Sequence, residues 1–272
     1  ERFKEDYINK GQNDIFQYNY QDRLIINMGY SYNYNSVGGA IVNNTIASNS
    51  YSIRFNFESA GNIMYALSKM KNANNEYAIL GIPYAQYIKG EFDFSKNIRI
   101  DYRNSFAFHA GIGIAVPYGN AKTIPFEKQY FSGGANSVRG WSVRDLGPGS
   151  FAGNGNLLDQ SGDIKLDASI EYRSKLFWKF QGAVFIDAGN IWTIRSYANQ
   201  PGGVFKFDRF YKQIAVAYGL GLRLDLDFFI LRFDGGMKAV NPAYETRKEH
   251  FPIIHPKFSR DFAFHFAVGY PF

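Results

Sequence analysis

The sequence contains no cysteine, which excludes disulfide bonds, thiolate metal sites and cysteine nucleophiles. It also has no apolar run of about 20 residues, the length that a membrane-spanning helix needs. Its four histidines, His109, His250, His255 and His265, have no partner at a spacing typical of metal ligands. Neither a phosphate-binding loop nor a GxSxG motif occurs. These absences predict a protein that is not an enzyme and that uses no metal and no cofactor.

The composition combines many aromatic residues with moderate polarity. Phe and Tyr number 26 and 20, aromatic residues make up 18% of the chain, and the mean hydropathy is only −0.29. This combination is typical of a membrane β-barrel, because lipid-facing and lumen-facing residues alternate and their hydropathies average out. The net charge of +6 is spread along the chain. It favours a solvated lumen and loops, and we expect no nucleic-acid partner.

A two-residue alternation of apolar and polar side chains recurs along the sequence and predicts strands. In one example, Ile164 and Leu166 fall on one face while Lys165 and Asp167 fall on the other. The alternation predicts nine strands, at 22–35, 51–58, 84–95, 98–116, 164–173, 178–188, 214–227, 229–239 and 262–272. Residues 62–70 are compatible with a short amphipathic helix in an external loop.

Two all-β architectures compete, a soluble sandwich and a transmembrane antiparallel barrel. Many of the predicted strands have ten or more residues, about what a tilted membrane strand needs, whereas sandwich strands usually have about five or six. The connections also alternate in length, as do the short periplasmic turns and long external loops of barrels. The short turns lie near 95–97, 174–177 and 227–228, and the long loops at 59–83, 117–161, 189–213 and 240–260. These features favour the transmembrane barrel.

Nine is an unusual strand number for a bacterial single-chain barrel, which has an even number of strands. Residues 1–20 are polar, and we interpret them as the tail of an external loop rather than a tenth strand. The sequence starts at Glu1 without a signal-peptide pattern, although a barrel must be exported. We therefore expect residues 1–272 to be the C-terminal part of a larger barrel domain.

The long loop 117–161 carries the run GGANSVRGW at residues 133–141. This run resembles the Val-Arg-Gly-aromatic signature in the sixth external loop of the BamA/TamA family of outer-membrane assembly factors. The matching residues are Val138, Arg139, Gly140 and Trp141. FIDAG at 185–189 resembles a second motif of that family, and SVRGW…LGPGS resembles its TamA-like branch. The resemblance implies a complete barrel of about sixteen strands.

In that family the loop folds into the lumen, and the resemblance implies that Arg139 meets Glu171 and Asp187. The strand alternation independently places both acids on the lumen face. A guanidinium offers five donors in a planar fork that suits carboxylates, so Arg139 would lock the loop to the wall. Tight turns in the loop are expected at Gly133, Gly134 and Gly140. The alternative is that Arg139 is a solvated loop cation.

The last predicted strand is the second candidate site. We assign its aromatic face to lipid, and Pro271 donates no backbone hydrogen bond, as expected at an edge. The residues concerned are Phe262, Phe264, Phe266, Tyr270, Pro271 and Phe272. The resemblance implies that this strand forms a lateral seam that opens and templates incoming strands. Alternatively, it is a plain terminal strand whose aromatic end is its own assembly signal.

The resemblance implies a function in the assembly, insertion or translocation of proteins at the bacterial outer membrane, as an integral multi-pass protein. The expected partners are unfolded outer-membrane proteins, the lipid bilayer, and periplasmic or inner-membrane accessory subunits. The alternatives are a protein-secretion pore and a passive diffusion channel. In the channel, charged lumen residues would select solutes, for example Arg99, Arg103, Asp167 and Arg223.

Overall fold

A computed structural model describes residues 23–36, 49–67, 69–72, 75–153 and 159–272. The segment 1–20, which we interpreted as a loop tail, lies outside the described residues. Of the predicted external helix, Asn62–Leu67 is observed as α1. Two further helical turns, α2 (Arg247–His250) and α3 (Phe258–Asp261), precede the last strand. No helix among the described residues is long and apolar enough to span a membrane.

Nine strands form a single antiparallel sheet, and they pair in the order in which they follow each other along the chain, which confirms the predicted number. A separate two-stranded hairpin, which the alternation did not predict, lies in the connection between the second and third strands of this sheet. The bounds are β1 Asn27–Asn35, β2 Ser50–Ala60, β3 Ala78–Ile79, β4 Ile82–Pro83, β5 Tyr87–Arg99, β6 Asn104–Pro117, β7 Ile164–Lys175, β8 Phe180–Trp192, β9 Ala215–Asp225, β10 Ile230–Val240 and β11 Phe262–Val268.

The sheet exposes its apolar face and buries charge on the other. Ile186 of β8 and Leu220 of β9 are 54% and 67% exposed, whereas Glu171 of β7 and Asp234 of β10 are fully buried. A soluble sandwich would cover its apolar face with a second sheet. Among the described residues no second sheet covers this face, so the sandwich alternative is wrong. An extended apolar surface of this kind suits a lipid environment.

The predicted turn at 95–97 is wrong, because β5 continues to Arg99. The turn lies instead at 100–103, where the carboxylate of Asp101 accepts hydrogen bonds from the backbone N–H groups of Arg103 (2.7 Å) and Asn104 (2.9 Å). Such a side-chain-to-backbone contact favours a turn over a strand. The polar residues at 95–97 fit the alternation of a sheet with one polar face.

The last strand is shorter than predicted and ends at Val268. Gly269 has φ +86°, a conformation that side-chain-bearing residues rarely adopt, and it turns the chain out of the ladder. Pro271 has no N–H with which to continue the pairing. The prediction that Tyr270 and Phe272 face lipid is therefore wrong. Both side chains instead contact the face that carries the buried charges, which we call the inner face of the sheet.

Candidate functional site

The loop between β6 and β7 folds onto the inner face of the sheet. Gly133 and Gly134 both have φ +96°, as the tight turns expected there require. The N–H of Gly134 donates to the carbonyl of Trp141 at 2.8 Å, which closes a turn around Arg139. Because Gly134 and Trp141 are linked in this way, Arg139 lies within a closed turn.

Arg139 is 1% exposed, and its guanidinium binds two carboxylates. Its Nε and Nη2 donate to the two oxygens of Asp187 on β8, each at 2.8 Å. Its Nη1 donates to Oε2 of Glu171 on β7 at 2.6 Å. Its guanidinium also lies 3.5 Å from the ring centre of Phe185. The structure thus brings together the three residues that the resemblance connected, and Arg139 is no solvated loop cation.

Three further charged residues join this cluster, and the sequence analysis did not connect them to it. Asp234 on β10 lies 3.5 Å from Nη1 of Arg139. Arg223 on β9 contacts Glu171 and Asp234, each at 2.9 Å. Arg232 lies 3.1 Å from Asp234, and its Nη2 donates to the carbonyl of Ala135 in the loop at 2.9 Å.

Buried charges of this kind depend on each other. Removing one partner of a buried ion pair typically costs about 3–5 kcal/mol, because the remaining charge stays buried without compensation. In this cluster the side chains of Arg139, Glu171, Asp187 and Asp234 are each at most 1% exposed. The cation of the loop and the carboxylates of the strands can therefore be buried only when they are paired with each other.

Close packing brings the loop near enough for these contacts. A Cβ on Gly236 of β10 would lie 2.0 Å from the carbonyl oxygen of Arg139, and one on Gly140 would lie 2.8 Å from Cβ of Ala217. The role of Gly140 is therefore close approach, whereas Gly133 and Gly134 supply the turn. Val138 and Trp141 are buried together with Ala217 in a small apolar cluster beside the ion pairs.

Two polar neighbours also join the site. His265 of β11 lies with its Nε2 3.0 Å from the carbonyl oxygen of Arg139. The hydroxyl of Ser169 on β7 donates to Asp187. The strand alternation already placed His265 on the inner face, but it does not specify the loop carbonyl that His265 meets.

The predicted terminal-strand residues fall into two groups. Phe264 and Phe266 are exposed on the apolar face, and Phe262 stacks on Phe258 with ring centres 4.2 Å apart. Tyr270 and Phe272 lie on the inner side, so the structure does not bring them together with the other three rings. Along its second edge, β11 pairs with no strand in the described part of the chain, and the same holds for β1.

The cluster has the chemistry of a structural lock. Every carboxylate oxygen of Glu171 and Asp187 accepts at least one hydrogen bond from a neighbouring side chain. Within the described ranges, no group of three or more His, Asp or Glu side chains is arranged to hold a metal ion. The loop contacts five strands at this site, β7 to β11.

The chain is similar in sequence to known proteins. A family model described as the Omp85 superfamily domain matches residues 5–272. Over 95 residues, 32% of the chain, the sequence is 34% identical to the outer membrane protein assembly factor BamA of Neisseria meningitidis serogroup B, of which it covers 11%.

Two solved structures are similar over 90% of the chain. One is the crystal structure of BamA from Haemophilus ducreyi lacking POTRA domains 1–3, with 16% identity, a TM-score of 0.47 and 54% of that chain covered. The other is CdiB from Acinetobacter baumannii, with 12% identity, a TM-score of 0.35 and 42% covered. The expected TamA-like branch stays a prediction.

Proposed function

Since the chain belongs to the Omp85 superfamily of outer-membrane β-barrel proteins, we propose that it inserts or translocates proteins at the bacterial outer membrane. Its substrates, or clients, would be unfolded outer-membrane proteins. Its other partners would be the lipid bilayer and periplasmic or inner-membrane accessory subunits. The chain covers 11% of the length of the Neisseria meningitidis BamA and 54% of the Haemophilus ducreyi chain, so the activity of the whole protein is part of this proposal.

The observation that carries the proposal is the buried pairing of Arg139 with Glu171 and Asp187. A loop held in this way braces β7 to β10 from the inside. Because breaking the pairs leaves buried charges uncompensated, this part of the wall resists deformation. Opening would therefore occur elsewhere along the sheet.

The strand best suited to move is β11. It has seven residues, whereas β10, with which it pairs, has eleven. An edge strand presents unpaired N–H and C=O groups, which can template an incoming strand by β-augmentation. We infer that a client strand enters at the free edge of β11, which contacts the loop through His265, while the Arg139 loop keeps the adjoining strands β7 to β10 fixed.

In this proposal the protein makes and breaks no covalent bond. The free energy would come from the client, because burying its apolar side chains and pairing its backbone in lipid are both favourable. The diffusion-channel alternative receives less support. Arg223 is fully buried in ion pairs and Asp167 is paired with His109 and Lys165, so neither is free to select solutes.

The test is a reconstitution of the full-length protein in phospholipid vesicles. A urea-unfolded outer-membrane protein is diluted into them, and its folding is followed by protease resistance and heat-modifiable mobility. We expect faster client folding than in protein-free vesicles, and slower folding with Arg139→Ala than with the exposed-loop control Arg209→Ala. Equal folding rates with and without the protein, together with a large steady conductance in planar bilayers, would contradict the proposal.

A further inference from the structure

After Val268 the chain crosses the inner face of the sheet. Gly269 donates its N–H to the carbonyl of Ile230 at 2.8 Å, which is its last contact with the ladder. Residues 270–272 then lie against β6, β7 and β8, although β9 and β10 separate these strands from β11 in the sheet. The segment thus lies inside the curve of the sheet and not against lipid.

Three side chains of the inner wall contact the two rings of this segment. The guanidinium of Arg173 on β7 lies 4.5 Å from the ring centre of Tyr270 and 5.4 Å from that of Phe272. His109 of β6 stacks on Phe272, with ring centres 5.3 Å apart and planes at 19°. The hydroxyl of Tyr270 donates to Oε1 of Gln181 on β8 at 3.2 Å. Each contact comes from a different strand.

Arg173 also belongs to the charge cluster. Its Nε donates to Oε1 of Glu171 at 2.7 Å, while Oε2 of the same carboxylate accepts from Arg139 and Arg223. With Arg232, the cluster contains four guanidinium groups. Its carboxylates are those of Glu171, Asp187 and Asp234, so one positive charge is in excess.

The rings of the segment suit this excess charge. The side chain of Arg173 is 9% exposed, and its Nη2 has no hydrogen-bond partner among the described residues. The face of an aromatic ring carries negative charge density and attracts a cation, most strongly when water is excluded. The ring faces of Tyr270 and Phe272 therefore attract the guanidinium of Arg173, although the rings carry no net charge.

We propose that His109, Arg173 and Gln181 form a binding site for an aromatic segment of extended chain. The chain's own Tyr270 and Phe272 occupy this site, and Arg173 couples its occupancy to the position of the Arg139 loop.

The coupling passes through Glu171. While Arg139 binds Oε2 of Glu171, only Oε1 is left for Arg173, which keeps that guanidinium pointing toward the rings. When Arg139 is absent, Oε2 keeps Arg223 as its remaining donor, so Arg173 can share that oxygen, and its plane turns away from Tyr270. This coupling rests on the proposed role of the Arg139 loop, whereas the site itself does not.

The absence of cysteine allows a direct test with single thiols in the full-length protein in vesicles. Pro271→Cys reports on the segment, and Ser132→Cys, at a position 1% exposed, reports on the loop. The measured quantity is the rate of maleimide modification. Arg103→Ala is the matched control, because Arg103 also lies over a tyrosine ring, that of Tyr102 at 5.1 Å, but in the β5–β6 turn.

We expect Arg173→Ala to raise the rate at Pro271→Cys about tenfold, Arg103→Ala to leave it unchanged, and Arg139→Ala to raise the rates at both thiols. Equal rates in the Arg173→Ala and Arg103→Ala proteins would overturn the site. If Arg173→Ala does not fold, Tyr270→Ala, outside the charge cluster, should give the same increase, and no increase would again overturn the site.

The two proposals fail in different ways. A rise at Ser132→Cys without one at Pro271→Cys in the Arg139→Ala protein would overturn the coupling and leave the loop lock standing. No rise at Ser132→Cys would overturn the lock, while the Arg173→Ala result would still decide the site.

Discussion

The two ends of the sheet have the same sequence alternation but different inner faces. In β7 to β10 the inner face is covered by the loop, and Ser169, whose hydroxyl binds Asp187, is 7% exposed. In β1 every residue is exposed, and the hydroxyl of Ser31 binds Asn56 at 2.6 Å in contact with solvent. What covers the inner face, and not the strand pattern, makes the difference.

This difference teaches where the stability of the sheet lies. In β1 and β2, water can replace the partner of a polar side chain, so each hydrogen bond there contributes little to stability. Charges under the loop have lost water and depend on each other, so the loss of one is expensive. Matched substitutions at the two ends should therefore give unequal results.

The largest effect is expected from Arg139→Ala, which would make the covered region resemble the open one. Removing the cation leaves Glu171, Asp187 and Asp234 with one partner fewer, and we expect a loss of about 3–5 kcal/mol. The midpoint of thermal unfolding in micelles measures this loss. Arg209→Ala, in an exposed loop, is the control. Equal unfolding midpoints for Arg139→Ala and Arg209→Ala would show that a charge under the loop contributes no more to stability than an exposed one.

A second prediction concerns a buried acid at the loop end of β7. Burial raises the pKa of Asp163 to about 6, and its carboxylate accepts a hydrogen bond from the N–H of Ile194 at 3.0 Å. The folded state therefore binds the proton more tightly than the unfolded chain does. The stabilisation by that proton is present below the ordinary pKa near 3.8 and is lost as the pH rises through about 6.

Asp163→Asn removes the cost of burying the charged carboxylate, which is about 3 kcal/mol above pH 6. The variant should exceed the parent in thermal stability at pH 8 and match it more closely at pH 5. The exposed Asp208→Asn serves as the control for a lost negative charge. A difference from the parent that is the same at both pH values would refute the assignment.

Gly236→Ala should disturb the contact between loop and wall. The new Cβ would lie 2.0 Å from the carbonyl oxygen of Arg139, so the loop must move, at a cost of about 1–3 kcal/mol. The matched control is Gly90→Ala on β5, where a Cβ has no heavy atom within 4 Å. Denaturant titration of both variants measures the difference. Equal stability would mean that the loop does not lie on β10.

The smallest effect comes from a pair of serines. Ser169→Ala removes a buried hydrogen bond to a carboxylate and should cost about 1–3 kcal/mol. Ser31→Ala removes a solvent-exposed one and should change stability by less than about 0.5 kcal/mol. Equal values from titrations of both variants would show that the covered and open faces do not differ in energy.

Much of the fold could be predicted from the sequence, because a strand with one lipid face and one polar face shows its alternation directly. The faces of Glu171, Asp187 and His265 follow from that pattern. It gives the side of the sheet and not the neighbours in space, so it did not reveal that Asp234 and Arg223 join Arg139. Those contacts depend on where the loop between β6 and β7 lies on the inner face of the sheet.

The alternation misled where backbone geometry decided the outcome. It continues beyond Val268, so Tyr270 and Phe272 were assigned to the lipid face. The positive φ of Gly269 and the missing N–H of Pro271 end the strand instead. A glycine followed two residues later by a proline was the signal available in the sequence.

The central claim is that Arg139 and the wall carboxylates stabilise each other, and a double-mutant cycle tests it most directly. The free energies of unfolding are compared for the parent, Arg139→Ala, Asp187→Ala and the double variant. We predict that the double variant loses less than the sum of the two single losses, by about 2–3 kcal/mol. Strictly additive losses would contradict the claim.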